Sequence, residues 1–122
     1  MGSGPRIELQ VTEWAFTPST IILEEGKPVT IVFINNGRLP HNLTSAYLND
    51  QTLRLTGQFT EGVFRSDNWR FVQAAPGQRF EMTFTPNGRP RGGQAVFICS
   101  MADGRHAAAG VAGAFIIRPA SQ

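Results

Sequence analysis

Hydrophobic and polar residues alternate along several short stretches of the chain. Residues 7–12 and 80–85 each read apolar, polar, apolar, polar, which predicts strands with one buried face. Residues 29–34 are almost all apolar and largely β-branched, and Asn35, Asn36 and Gly37 follow them as a turn signal. This run predicts a strand that is covered on both faces.

Further short apolar runs extend this pattern to the end of the chain. They occupy residues 21–23, 95–99 and 114–117, and most of the 13 glycines and 8 prolines lie between the runs. No segment has a long period of 3.6 residues, and residues 107–109 allow no more than a short turn of helix. The pattern predicts an all-β fold, an antiparallel Greek-key β-sandwich or barrel.

The length of 122 residues predicts a single domain. We interpret residues 1–4, Met-Gly-Ser-Gly, as a remnant of expression and place the domain at residues 5–119. Residues 46–75 break the alternation, although several aromatic side chains argue against disorder there. We expect this segment to be a long irregular excursion that packs on the domain and contains about one strand or helical turn.

Charge and composition exclude some classes of function. The net charge is +2 and is scattered along the chain, which argues against nucleic-acid binding. No run of 18 apolar residues exists, so we expect no membrane insertion. The single cysteine cannot form an internal disulfide.

That cysteine, Cys99, and the two histidines, His41 and His106, are the residues with candidate chemistry. Each alone is most often unremarkable, the cysteine as a small buried hydrophobe and the histidines as solvated polar residues. However, His41 follows a predicted strand, Cys99 ends one, and His106 lies on the loop that leaves Cys99. In a Greek-key sandwich these three positions can converge at one pole.

A thiolate and two imidazoles form a soft donor set that suits copper. Zinc remains an alternative, because a carboxylate such as Asp103 could supply a fourth ligand. Cys99 and His106 could also act as nucleophile and base, but so small a domain is not expected to build the deep cleft that a substrate would need.

Three segments of the sequence resemble the cupredoxins, the small blue copper proteins, and most of all plastocyanin. Residues 35–43, NNGRLPHNL, look like the segment that carries the first copper ligand in that family. Residues 97–100, FICS, with His106 and residues 110–113, GVAG, look like the segment that carries the others. Residues 25–35 match the strand that leads to the first histidine.

The resemblance implies a cupredoxin-like fold with one copper ion bound by His41, Cys99 and His106. It also implies that Asn42 ties the loops of His41 and Cys99 together, although Asn42 could be an ordinary turn asparagine. The implied function is one-electron transfer to or from a transient redox partner protein, without enzymatic activity. The implied location is extracytoplasmic, either periplasmic or on the outer face of a membrane through an anchor.

Two features depart from the family pattern. Val111 occupies the position of the usual axial methionine, and six residues rather than fewer separate Cys99 from His106. Val111 could cap a three-coordinate site, Met101 could serve as the axial ligand instead, or the axial position could be open to a small molecule.

The surroundings of His106 are also consistent with electron exchange. Leu39, Pro40, Ala107 and Ala108 would form a flat apolar rim for a partner, or they could simply be small loop residues. Three alternatives to electron transfer stay open at this point. These are copper storage or delivery, a cupredoxin-like interaction module without metal, and a copper enzyme with an open coordination position.

Overall fold

The computed structural model describes residues 4–13, 15–64, 68–101, 105–108 and 111–120, and within the short helix it describes the side chains of Arg105 and His106. The chain forms two β-sheets with little helix. The strands are β1 (Arg6–Val11), β2 (Phe16–Thr17), β3 (Thr20–Glu24), β4 (Val29–Asn35), β5 (His41–Ser45), β6 (Arg54–Gly57), β7 (Thr60–Phe64), β8 (Trp69–Ala74), β9 (Arg79–Phe84), β10 (Gln94–Ile98) and β11 (Ala112–Arg118). A helix, α1 (Arg105–Ala108), and short 3₁₀ segments at Ala46–Asp50 and Arg91–Gly93 complete the described elements.

The two sheets form a sandwich, which confirms the predicted all-β class. One sheet has the strand order β2-β1-β4-β9-β6, and the other has the order β3-β11-β10-β5-β8-β7. Both sheets are mixed rather than purely antiparallel, because β1 pairs with β4 and β3 pairs with β11 in parallel. The alternation of side chains reports which face of a strand is buried, but it does not report the direction of the neighbouring strand.

The core lies between the sheets and is rich in phenylalanine. Phe33 stacks on Phe80 with ring centroids 4.7 Å apart, and Phe97 packs against Phe115 at the same separation. All four rings are essentially inaccessible to solvent. Strand β4 is buried on both faces, as its apolar run predicts, with Ile34 the one half-buried residue among its seven.

Residues 46–75 are more regular than predicted. They contain the 3₁₀ segment at Ala46–Asp50 and the strands β6, β7 and β8. Strand β6 pairs with β9, and β8 pairs with both β7 and β5. Strand β7 lies at the edge of its sheet, and Val63 there is 54% exposed. Because an edge strand with exposed apolar residues lacks a clean alternation, the sequence pattern did not reveal it.

Neighbouring strands in the second sheet bring two of the candidate residues to the same pole. Strand β5 begins at His41, and β10 ends at Ile98, directly before Cys99. The two strands run antiparallel and pair at Thr44 and Ile98, so the start of β5 lies beside the end of β10. The connection from β10 to β11 contains α1, which carries His106 at this pole.

Three sequence predictions fall partly outside the described residues. The predicted helical turn at 107–109 overlaps α1, but Ala109 lies outside the described part of the chain, as do residues 1–3 and Asp103. In the described ranges, no helix combines the length and apolar character that crossing a membrane requires.

Candidate metal centre

The structure brings Cys99, His41 and His106 together. Cys99 Sγ lies 3.5 Å from His41 Nδ1 and 3.5 Å from His106 Nδ1. One ligand atom from each residue lies within 4.8 Å of those of the other two. Cys99 and His41 are completely buried, and His106 is half-buried.

The spacing of these atoms fits a single bound metal ion. In metal sites of this chemistry, bonds to imidazole nitrogen and thiolate sulfur measure about 2.0–2.3 Å. Two such bonds meeting at about 120° place the nitrogen and the sulfur roughly 3.7 Å apart. The observed 3.5 Å separations are close to this value, and both imidazoles present the same atom, Nδ1, to the sulfur.

The thiol of Cys99 lies in a buried pocket that is partly polar. Burial raises its pKa, because the charged thiolate loses hydration, and the backbone N–H groups of Asn42 and Met101 oppose this rise. The Asn42 N–H lies 3.5 Å from Sγ. These N–H groups favour the thiolate, which is the form of sulfur that a metal binds. A bound cation would favour the thiolate as well.

The side chain of Asn42 links the segments that carry His41 and Cys99. Its Oδ1 accepts hydrogen bonds from the Ser100 N–H at 2.8 Å and from the Thr44 hydroxyl at 2.7 Å. Its Nδ2 donates to Ser100 Oγ at 3.1 Å. Asn42 thus links the segment of His41 to the segment of Cys99 through these hydrogen bonds. The network lies where the start of β5 meets the end of β10, and it holds the two strands together beside the sulfur.

The outer nitrogen of His41 bonds to a carboxylate from another part of the chain. His41 Nε2 lies 2.9 Å from Glu13 Oε2, and the same oxygen accepts the backbone N–H groups of Arg38 at 2.8 Å and Leu39 at 3.2 Å. These hydrogen bonds, with that to His41 the strongest influence, lower the pKa of Glu13. When a neutral His41 donates from Nε2 to this carboxylate, Nδ1 carries no proton, and its lone pair faces Cys99.

Backbone hydrogen bonds close the loop that carries His106. The Val111 N–H donates to the His106 carbonyl at 3.0 Å, and the Cys99 N–H donates to the Val111 carbonyl at 3.1 Å. Partial burial, with nearby His41 and Arg105, lowers the pKa of His106, while Glu13 acts in the opposite direction. The neutral imidazole, which is the form that can bind a metal, is therefore favoured.

The other residues singled out from the sequence lie around this centre. Val111 is completely buried, and Met101 is half-buried against the core. Leu39 is 47% exposed and Pro40 is half-buried. Ala107 and Ala108 belong to α1, although their side chains are outside the described part of the structure.

Glu13 and the partners of Asn42 were not predicted from the sequence. Glu13 precedes His41 by 28 residues, and no local motif connects the two. The parallel pairing of β1 with β4 places Val11 beside Asn35, so the residues that follow the two strands lie at the same end of the sheet. Knowledge of that pairing would have drawn attention to Glu13.

Comparisons with known proteins identify the fold through structure. No protein-family model matches the chain, and no curated protein matches its sequence. Auracyanin from the photosynthetic bacterium Roseiflexus castenholzii, solved in a dithionite-reduced form, superposes with a TM-score of 0.68 at 18% identity, over 97% of this chain and 100% of that one. Auracyanin A, a "blue" copper protein from Chloroflexus aurantiacus, gives a TM-score of 0.64 at 19% identity, over 94% of this chain and 100% of that one.

A larger protein contains the same fold as one of its parts. A multicopper oxidase from Campylobacter jejuni gives a TM-score of 0.69 at 8% identity, over 97% of this chain but 31% of the oxidase. Together these similarities show that the chain has the fold of the cupredoxins, which confirms the fold that the sequence resemblance implied.

Proposed function

We propose that this cupredoxin-fold protein binds one copper ion through His41 Nδ1, Cys99 Sγ and His106 Nδ1, and that it transfers single electrons. The convergence of these three atoms carries the proposal. Copper held by a thiolate and two imidazoles cycles between Cu(I) and Cu(II).

The chain's own residues hold the donors with little freedom to move. Cys99 and His41 project from the ends of paired strands, and Asn42 joins these ends through hydrogen bonds to Ser100 and Thr44. Rigid donors limit the rearrangement that accompanies a change in metal charge, which favours fast electron transfer over metal exchange.

Access to the centre is through His106, the half-buried member of the set. We propose that the exposed Leu39, with Pro40, Ala107 and Ala108, forms the apolar rim on which a redox partner docks briefly. Val111 would cap the axial position, because it is buried and follows the His106 loop. We place this function outside the cytoplasm, in the periplasm or at the outer face of a membrane, as the resemblance implies.

The test is to add Cu(II) to the metal-free protein and record its visible spectrum. We expect an intense sulfur-to-copper charge-transfer band with a stoichiometry of one copper ion, and we expect Cys99→Ala to lose it. Met101→Leu, which removes the sulfur of the alternative axial candidate, should keep the band. A wild-type protein without the band would refute the proposed function.

A second measurement separates electron transfer from copper delivery. Rapid removal of the copper by a chelator would indicate a delivery protein, whereas slow removal combined with fast, reversible electrochemistry would support an electron carrier.

A further inference from the structure

Glu13 is connected to the candidate centre by three hydrogen bonds to a single oxygen. Its Oε2 accepts from His41 Nε2, from the Arg38 N–H and from the Leu39 N–H, at 2.9, 2.8 and 3.2 Å. The side chain of His41 is completely buried, whereas that of Glu13 is 25% exposed. One carboxylate therefore holds both the ring of His41 and the backbone of the loop that precedes it.

The fold fixes the position of this carboxylate. Strands β1 and β4 pair in parallel up to Val11 and Asn35, and the Asn36 N–H extends the pairing by donating to the Val11 carbonyl at 2.9 Å. A turn closed by a hydrogen bond from Thr12 N–H to the Ala15 carbonyl, at 3.0 Å, then carries Glu13 toward the β4–β5 loop. The backbone pairing of β1 with β4 therefore places Glu13 close to His41.

Gly37 leaves the space that the contact occupies. A Cβ atom at this position would collide with Glu13 Oε2 and would lie 2.8 Å from His41 Nε2. The backbone of Gly37 is also held by a hydrogen bond from its N–H to Asn35 Oδ1 at 2.8 Å. Any larger residue here would push the carboxylate and the imidazole apart.

We propose that Glu13 is a positioning residue for the metal centre, which fixes the tautomer and orientation of His41 and increases the donor strength of Nδ1. This inference rests on the copper function proposed above. A carboxylate that accepts from the outer nitrogen of a metal-bound imidazole makes the ligand more basic, and removal of such a partner costs about 10–100-fold in metal affinity. Because a more basic ligand favours the more positive ion, Glu13 stabilises Cu(II) more than Cu(I) and lowers the reduction potential.

The test combines two variants of Glu13 with a charge-matched control. Glu13→Gln keeps the shape but removes the charge, Glu13→Ala removes the contact, and Glu81→Gln removes a surface charge that pairs with Arg6. For Glu13→Ala we expect Cu(II) affinity, measured by chelator competition, to fall about 10–100-fold, with a smaller loss for Cu(I). Each tenfold difference between the two losses corresponds to a rise of about 59 mV in potential.

Glu13→Gln should also raise the potential, and Glu81→Gln should leave both measurements unchanged. Wild-type values in both Glu13 variants would overturn the proposal. A general loss of structure would not mimic the expected result, because it would abolish the charge-transfer band instead of shifting the potential.

A measurement on the metal-free protein keeps this inference separable from the copper function. With two histidines in the chain, nitrogen-15 NMR can assign the tautomer of His41 directly. We expect the proton on Nε2 in the wild type and a mixture of tautomers in Glu13→Ala. If the wild type binds no copper, the copper function fails while the tautomer still tests Glu13. The same tautomer ratio in both proteins would overturn the positioning role.

Discussion

The side chain of Asn42 accepts a hydrogen bond from the backbone N–H of Ser100 at 2.8 Å, across 58 positions of the sequence. This bond joins the residue after His41 to the residue after Cys99. It belongs to a buried network with Thr44, and among the described residues no buried side-chain nitrogen or oxygen lacks a hydrogen-bond partner. The buried polar side chains of this network are therefore satisfied by the protein itself.

Asn42→Ala should destabilise the protein strongly. The substitution leaves the buried Ser100 N–H without its acceptor, and the Thr44 hydroxyl keeps only Ser100 Oγ, at 2.9 Å. We expect the free energy of unfolding of the metal-free protein to fall by about 2–4 kcal/mol, measured by urea denaturation.

Asn36→Ala provides the matched control for that measurement. Asn36 is exposed, and its side chain makes a hydrogen bond to Gln10 at 2.9 Å. We expect a loss under about 1 kcal/mol for this variant. Equal losses in the two variants would contradict the special role of the buried network.

Gly37→Ala should act through Glu13. The added methyl group would displace the carboxylate from His41, so we expect weaker Cu(II) binding and a loss of roughly 1–3 kcal/mol in stability. A double-mutant cycle with Glu13→Ala is the measurement. Since both changes break the same contact, their effects on copper affinity should be strongly non-additive, and simple additivity would contradict this pathway.

Val111→Met should lower the reduction potential. A thioether at the axial position stabilises Cu(II) more than Cu(I), whereas a buried valine offers no donor. Redox titration against the wild type tests this expectation. Val72→Met introduces the same side chain at another fully buried position and should leave the potential unchanged. An unchanged potential in Val111→Met would refute the capping role.

Tyr47, the single tyrosine of the chain, should ionise late as the pH rises. Burial, with a smaller contribution from Glu25, raises its pKa to about 12 from an ordinary value of about 10. The folded state thus prefers the neutral phenol. The resulting stabilisation is complete below pH ~10 and is lost as the pH rises toward 12.

Ultraviolet absorbance of tyrosinate measures this pKa directly, because no other tyrosine contributes. Alkaline denaturation should be less steep in Tyr47→Phe than in the wild type. A titration midpoint near 10 in the folded protein would show that Tyr47 is not held in its buried position.

Phe33→Ala should cost about 3–5 kcal/mol of stability. Phe33 is fully buried, stacks on Phe80 and meets Phe16 edge-on at 6.4 Å between centroids. Phe59→Ala is the matched control, because Phe59 is 37% exposed although it also contacts Phe80. We expect it to cost under about 1 kcal/mol, and chemical denaturation of both variants checks the difference.

Local sequence patterns predicted the strands of the core, because burial on one face imposes alternation and burial on both faces imposes an apolar run. Strands β1, β4 and β9 follow this rule closely. Strand β7 does not, since its edge position leaves Val63 exposed. The pattern did not predict whether neighbouring strands pair in parallel or antiparallel, because that direction does not change which side chains of a strand are buried.

The candidate site could also be predicted only in part from the sequence. His41, Cys99 and His106 could be predicted because their residue types are rare in this chain and their chemistry is specific. Glu13 could not, because glutamates are common at surfaces and its role depends on the parallel pairing of two distant segments.

The pairing of β5 with β10 at Thr44 and Ile98 has a consequence for how the protein acquires its metal. Two of the three donors are set in place by the same backbone ladder that forms the sheet. We therefore expect the chain to fold without the ion, unlike zinc fingers, where the ion supplies the free energy of folding. Synthesis of a stable apoprotein and its later loading can be separate events, in different places and under different control.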